Sequence, residues 1–277
     1  MNWAPPSSSL QLTDGLWQPQ AVSAVSYPEA GNDVCFQVED SSFWFTHRNE
    51  CILSVVRRFP PSGVFFDIGG GNGFVAKGLQ NAGIEVALIE PGSGVKNAVK
   101  RGVKNVIWAS LEDAGFQPRS LSAAGAFDVV EHIEDDAAFL TSIRQLLRPG
   151  GRFYCTVPAL RPLWSDDDVY AGHFRRYHRA SLVEVMEKSG FAVEFVSYFF
   201  SWLVLPVYLF RALPFRLNPG RRIEQLAGLE ATQRAHTLPR GLSGLAGRIH
   251  RWEIEQLRHE KPIRLGSSLI CCARVPE

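Results

Sequence analysis

The sequence is sparing in features that would each have settled a class. Net charge is only +1, from 29 basic and 28 acidic side chains over 277 residues. That balance excludes a global nucleic-acid footprint and a charge-driven disordered chain. Five cysteines (Cys35, Cys51, Cys155, Cys271 and Cys272) form no C-x-x-C pair and no zinc-spaced set. An odd, scattered count reads as reduced thiols in a cytoplasmic protein. The opening MNWAPPSSSLQLTDG has neither a basic nor an apolar stretch, so no secretory leader is expected. Long apolar runs are also missing. The nearest candidate, Phe195 to Phe210, has 16 uncharged residues and is broken by Pro206, whereas a spanning helix needs about 20. A buried strand running into a lid helix is the expectation there. Peripheral membrane contact through 195–222, or a pocket for a greasy substrate, stays open beside it.

What is present is an alternation. From Val64 onward, short apolar runs (GVFFDI, IEVALIE, KNVIWA, SLSAAGAF, RFYCTVP, FAVEFVSYF and SSLICCARV) read as strands. Between them lie helical stretches of about ten residues, which imply βαβ units and a mostly parallel sheet. The fold class is therefore α/β, a Rossmann-like seven-stranded sheet. Residues 1–62 read as an N-terminal cap segment with a helix near Arg48 to Phe59, and 63–198 as the core. Residues 199–265 read as a helical insertion or lid before the final core strand, 266–277. From Arg211 to Arg251 there are eight arginines against two glutamates, a local +6. Such a stretch suits a solvated insertion, a cationic lid or an anchor to anionic lipid.

The densest signal is FFDIGGGNG, with four glycines in positions 69–73 behind a strand. Bare backbone between a strand and a helix lets a ligand lie against amide groups at the helix N-terminus. Two patterns fit. Gly71-x-Gly73-x-x-Ala76 matches a dinucleotide loop. Asp67-x-Gly69-x-Gly71-x-Gly73 instead puts an acid at the strand end, which repels a pyrophosphate and attracts an ammonium or sulfonium. Glu90, 17 residues beyond Gly73 at the end of the next strand, can accept ribose hydroxyls in either case.

Taken in order, FFDIGGGNG, ALIEPG, FDVVEHIEDD and LLRPGGRFYCTVPA resemble the class I S-adenosylmethionine-dependent methyltransferases. The similarity is greatest to the small-molecule branch that includes the ubiquinone-biosynthesis O-methyltransferases, and it covers about residues 40–200. The resemblance implies S-adenosylmethionine as cofactor, with its methionine moiety at Asp67, Gly69, Gly71 and Gly73, and with Asn72 among the cofactor-binding residues. It implies Glu90 on the ribose with Pro91 beside the adenine, Ser110 and Leu111 facing the adenine amine, and Phe127 and Asp128 near the sulfonium. Ser110 departs from the aspartate of many relatives. Arg48 would cap the cofactor, and Trp44 and Phe45 would cap it or line the acceptor.

For the chemistry, His132 in VVEHIEDD is the candidate general base, since imidazole titrates near neutrality. Its alternative is a helix cap. GHFRRYH supplies His173 and Tyr177 as further catalytic candidates, and Arg175 and Arg176 to bind a phosphate or carboxylate on the acceptor. The acids Glu131, Glu134, Asp135 and Asp136 read as dipole partners of a helix start. The SDDD at 165–168 reads as a polar loop with no histidine at ligand spacing, so no metal is assigned. The expected function is methyl transfer to a small-molecule or lipid-like acceptor, at oxygen, with no nucleic acid involved. An NAD(P)-dependent oxidoreductase and a non-catalytic S-adenosylmethionine-binding module are the alternatives.

Overall fold

The computed structural model describes residues 3–20, 29–220, 226 and 243–277. Much of the Arg-rich stretch read as a lid, including Arg221, Arg222, Arg234 and Arg240, lies outside the described residues.

The predicted strands form β3 (Phe65–Ile68), β4 (Val86–Ile89), β5 (Asn105–Ile107), β6 (Leu121–Phe127), β7 (Leu147–Pro158), β8 (Ala192–Phe199) and β9 (Ser268–Arg274). Two more, β1 (Leu10–Thr13) and β2 (Leu16–Pro19), make the sheet nine-stranded and correct the expected seven. They form an antiparallel hairpin whose Trp17 registers in parallel with Ile107 of β5. The turn is Asp14-Gly15, both at positive φ, the dipeptide that two-residue hairpins favour. Part of the N-terminal cap thus extends the sheet. The strand order is β1-β2-β5-β4-β3-β6-β7-β9-β8. Pairing is parallel from β2 through β7, and β9 runs antiparallel between β7 and β8.

Helices cover both faces because consecutive strand residues point to opposite sides. Phe66 and Ile68 face a core shared with Leu140 and Ile143 of α5 (Asp136–Leu146) and Leu182 and Met186 of α7 (Arg179–Lys188). Phe65 faces the other core. There it meets α2 (Phe43–Arg58), α3 (Phe74–Asn81), α4 (Gly94–Lys100) and α10 (Ser243–Arg258), through Ile52, Leu79, Val95 and Leu257. Helix α2 starts earlier than the expected Arg48, because Ser42 caps it by accepting from the amides of Trp44 and Phe45. Helix α1 (Glu29–Glu39) precedes it.

The apolar run at 195–210 divides in two. Its first part is β8, whose residues Phe195–Phe199 are all buried. Its second part becomes a 3-10 turn, α8 (Val204–Val207) and a π-helical turn (Tyr208–Ala212), followed by α9 (Leu213–Leu217). Among the described residues no helix is long and apolar enough to cross a membrane.

Candidate functional site

The carboxyl ends of β3, β4 and β6 converge on the glycine loop, where an open α/β sheet binds its ligand. Gly71 sits at φ +52 and a Cβ built there meets nothing within 4 Å, so its bare backbone borders open space. Gly94, which opens α4, approaches so closely that a Cβ on it would lie 2.7 Å from the Gly71 carbonyl carbon.

Asp67 is 1% exposed and its Oδ2 has no partner. Burial lifts its carboxyl to about 7, opposed by the nearby Arg48 guanidinium and by the Ala76 amide, while Glu90 adds to the rise. Glu90 accepts the Gly71 amide at 2.9 Å and the Gly92 amide at 2.7 Å, pinning the loop to the end of β4. Burial also raises Glu90 above the ordinary carboxyl range. Arg48, 8% exposed, reaches from α2 to bridge Asp128, the residue after β6. Asp128 adopts φ +56, a conformation unusual outside glycine. The guanidinium lies 5.0 Å from the Trp44 ring centroid and 5.7 Å from that of Phe45. Both rings are half-buried and form a cradle for Arg48, with cation–π attraction adding to the bridge. Three acids, Asp67, Glu90 and Asp128, and one arginine, Arg48, thus gather at the carboxyl ends of these strands.

A second cluster follows Asp128. Glu131 is fully buried, and apart from its own amide neither carboxylate oxygen has a hydrogen-bond partner. Burial, then the charge of Asp128, pushes it well above the usual carboxyl range. His173 bonds through Nδ1 to Oδ1 of buried Asp168 at 2.9 Å, and its Nε2 lies 4.0 Å from Glu131. Arg176 also donates to Asp168 Oδ1, at 2.8 Å. Burial, then the neighbouring His173, lowers His132 to about 4. The two imidazoles meet edge-to-face with centroids 4.7 Å apart. Ligand atoms of Glu131, His132 and His173 all lie within 4.8 Å of one another. The expectation that no histidine pairs with the acids at 165–168 is therefore corrected. Reading Glu131 as a dipole partner is corrected too, because the side chain is interior.

A family model for a methyltransferase domain matches residues 44–195, more than half of the chain. The chain belongs to the class I S-adenosylmethionine-dependent methyltransferases. It is 33% identical over 88 residues to a protein of Mycolicibacterium smegmatis named a "probable S-adenosylmethionine-dependent methyltransferase", covering 31% of this chain and 34% of that one. Over 108 residues it is 30% identical to the ubiquinone biosynthesis O-methyltransferase of Xylella fastidiosa, covering 36% and 44%. The chain thus spans less than half the length of these curated relatives. In fold it is similar to phosphoethanolamine N-methyltransferase 2 of Haemonchus contortus solved with S-adenosyl-L-methionine, with TM-score 0.56 and 18% identity. That likeness covers 94% of this chain and 62% of the other. The orphaned, buried Asp67 Oδ2 and the open backbone at Gly71 fit the amino-acid end of the family's cofactor.

Several of the predicted site residues have contacts of their own within the fold. Asn72 turns away from the cleft, donating to the Asn32 carbonyl and Glu39 and accepting from Asn97. Only its backbone borders the loop. Phe127 stacks on Phe65 in the core at 6.2 Å, and Leu111 is buried in the opposite core. Ser110 accepts the Asp113 amide in a turn, and the Pro91 carbonyl accepts the Trp108 indole N–H. Tyr177 is 3% exposed and its hydroxyl donates to Asp136 at 2.6 Å, so it anchors the start of α5. Arg175 pairs with the same Asp136 at 2.7 Å. Arg175, Arg176 and Tyr177 nevertheless line a cavity of about 1110 Å³ with Arg161, Trp164 and Arg216. Asp67, Glu90 and Asp128 do not line it.

The sequence reading missed a buried latch. Glu253 of α10 accepts from Phe200 N, Ser201 N and Ser201 Oγ, and sits 2.7 Å from His47 Nε2. His250 stacks on His47 at 3.7 Å. His47 directly precedes Arg48, so the latch fixes the helix that presents the arginine.

Proposed function

We propose that this methyltransferase moves a methyl group from S-adenosylmethionine to an oxygen of a small, lipid-like acceptor, in the cytoplasm or at a membrane surface. The observation that carries the reading is Asp67, a buried carboxyl with a partnerless oxygen at the mouth of a glycine loop. A dinucleotide phosphate is repelled there and an ammonium is welcomed. When bound, the cofactor supplies an electrophilic methyl on a sulfonium. Asp67 and the loop amides would hold its amino-acid end, Glu90 would accept the ribose hydroxyls, and the Arg48–Asp128 bridge would flank it. The protein's remaining work is to align the acceptor, exclude water and take one proton.

His173 is the better-placed base. Asp168 holds its Nδ1–H, which leaves the Nε2 lone pair toward the cluster interior and stabilises the imidazolium once the acceptor hydroxyl proton arrives. His132, lowered to about 4, is neutral at physiological pH but a weak proton acceptor. Arg161, Arg175 and Arg176 around the cavity favour an acceptor carrying a phosphate or carboxylate. No nucleic-acid acceptor is proposed.

Thermal shift gives the first test. S-adenosylhomocysteine should stabilise the protein and NADH should not; the reverse returns it to the oxidoreductase class. Labelled cofactor and a cell extract, followed by mass spectrometry, then identify the acceptor. Binding without any methylated product would mark a non-catalytic module. His173→Ala should lower turnover by roughly 10²–10⁴ with S-adenosylhomocysteine affinity unchanged, and His132→Ala by much less. Full turnover in His173→Ala removes it as base.

A further inference from the structure

Among the described residues thirteen large apolar side chains are exposed, and eight of them gather in one place. Val169, Tyr170 and Phe174 belong to α6 (Asp166–Ala171) and the loop after it. Leu205, Leu209, Phe210, Leu213 and Leu217 belong to α8, the π turn and α9. The two groups touch, since Arg211 of the π turn pairs with Asp167 of α6 at 3.3 Å. A gathering of this kind on a soluble protein marks an interaction site.

Spacing gives the patch its form. Leu205, Leu209, Leu213 and Leu217 recur every fourth residue. The π turn holds more residues per turn than an α-helix, so it turns back the drift that fourfold spacing would otherwise accumulate. The opposite side of the segment is seated on the protein at Ala212, which is fully buried. Leu217 is 79% exposed and Leu205 63%, so these side chains project into solvent.

Charge selects the occupant. Residues 204–217 contain two arginines and no acid. Arg216 is exposed, its guanidinium 5.5 Å from the Tyr208 ring and donating to the Pro162 carbonyl. The chain then continues into the stretch that carries a net +6 between Arg211 and Arg251. In 204–217 the apolar side chains stand beside arginines, and Asp167 of the adjoining α6 is already paired with Arg211, an arrangement that matches the acyl–headgroup boundary of an anionic leaflet.

We propose that the α8–α9 face docks this protein on bilayers containing anionic phospholipid, with the five exposed side chains entering the headgroup boundary and Arg211 and Arg216 at the phosphate level. Arg216 also lines the cavity of about 1110 Å³. The docked face therefore adjoins the pocket assigned to the acceptor under the proposed function, and an amphiphile can pass from leaflet to pocket.

Vesicle co-sedimentation tests this, with phosphatidylcholine alone against equal parts phosphatidylcholine and phosphatidylglycerol. The wild-type protein should bind the mixed vesicles about tenfold more tightly and lose binding as salt rises. The triple variant Leu209→Ser, Phe210→Ser, Leu217→Ser, all at exposed positions, should lose about tenfold in vesicle affinity. Its thermal shift with S-adenosylhomocysteine should stay intact, which shows it folded. Arg216→Glu should weaken binding to mixed vesicles only. Absence of vesicle binding, equal binding to both compositions, or undiminished binding by the triple variant overturns the proposal. So does a wild-type dimer that the triple variant dissociates without any vesicle binding, which assigns the face to a second copy. Failure of S-adenosylhomocysteine to bind the wild type sinks the proposed function and leaves the vesicle result standing.

Discussion

Asp67 ionises only against the cost of its burial, which lifts its carboxyl to about 7. The unfolded chain titrates near the ordinary value of about 3.9. Because the folded value is the higher one, the group favours the fold at low pH and that contribution is lost as pH rises through about 7. A cationic ligand selects the ionised form, so binding follows the opposite course. Calorimetric affinity for S-adenosylhomocysteine should rise by nearly ~10-fold per pH unit up to about 7 and then flatten. Asp67→Asn should remove that slope and weaken binding at pH above 7 by roughly 10–100-fold, the size expected for a hydrogen bond to a charged group. Gly94 offers a contrast, since it carries no side chain to lose. Alanine there would push on the Gly71 backbone and should weaken the same affinity by about tenfold, on the order of 1.4 kcal/mol, through loop displacement. Neither residue was equally visible beforehand. Asp67 announces itself by standing before four glycines, whereas Gly94 matters only because α4 folds back onto the loop.

Helices α2 and α10 meet over a buried carboxylate. Glu253 satisfies three donors from Phe200 and Ser201 and pairs with His47, holding its own carboxyl below the usual range despite burial. Glu253→Ala would strand those donors, at a cost of roughly 3–5 kcal/mol, and calorimetry should find the melting temperature lowered by about 10 °C. Cofactor affinity should fall as well, because His47 and Arg48 are neighbours on α2. Unchanged melting would mean that water replaces the carboxylate. No local pattern could have indicated this contact, since 206 residues separate its partners. Elements with a local signature were legible: β3, β4, β6 and β9 are buried apolar runs, and α3 and α4 are followed by Gly83 and Gly102 at positive φ. The β1–β2 hairpin and the early start of α2 were legible in principle, through Asp14-Gly15 and Ser42. They were missed because aromatic and polar residues around them blur the periodicity. Tyr177 illustrates the converse: residue type suggested chemistry, and its hydroxyl is taken up by Asp136 at the start of α5.

Among the described residues three largely buried arginines are paired: Arg48 with Asp128, Arg101 with Glu39, Arg176 with Asp168. Net positive charge accumulates along the sequence from Arg211 to Arg251. Stability should therefore be little affected by moderate salt, and any membrane affinity strongly so. Scans with and without added salt, set beside vesicle binding, would show the two responses diverging. The sheet carries a different consequence. Its order seats β9, residues Ser268–Arg274, between β7 and β8, so two strands wait for a neighbour that leaves the ribosome after every other described element. Until then each presents a bare edge, the usual seed of intermolecular pairing. A stalled or prematurely terminated nascent chain would hold the whole cofactor cleft and still clump.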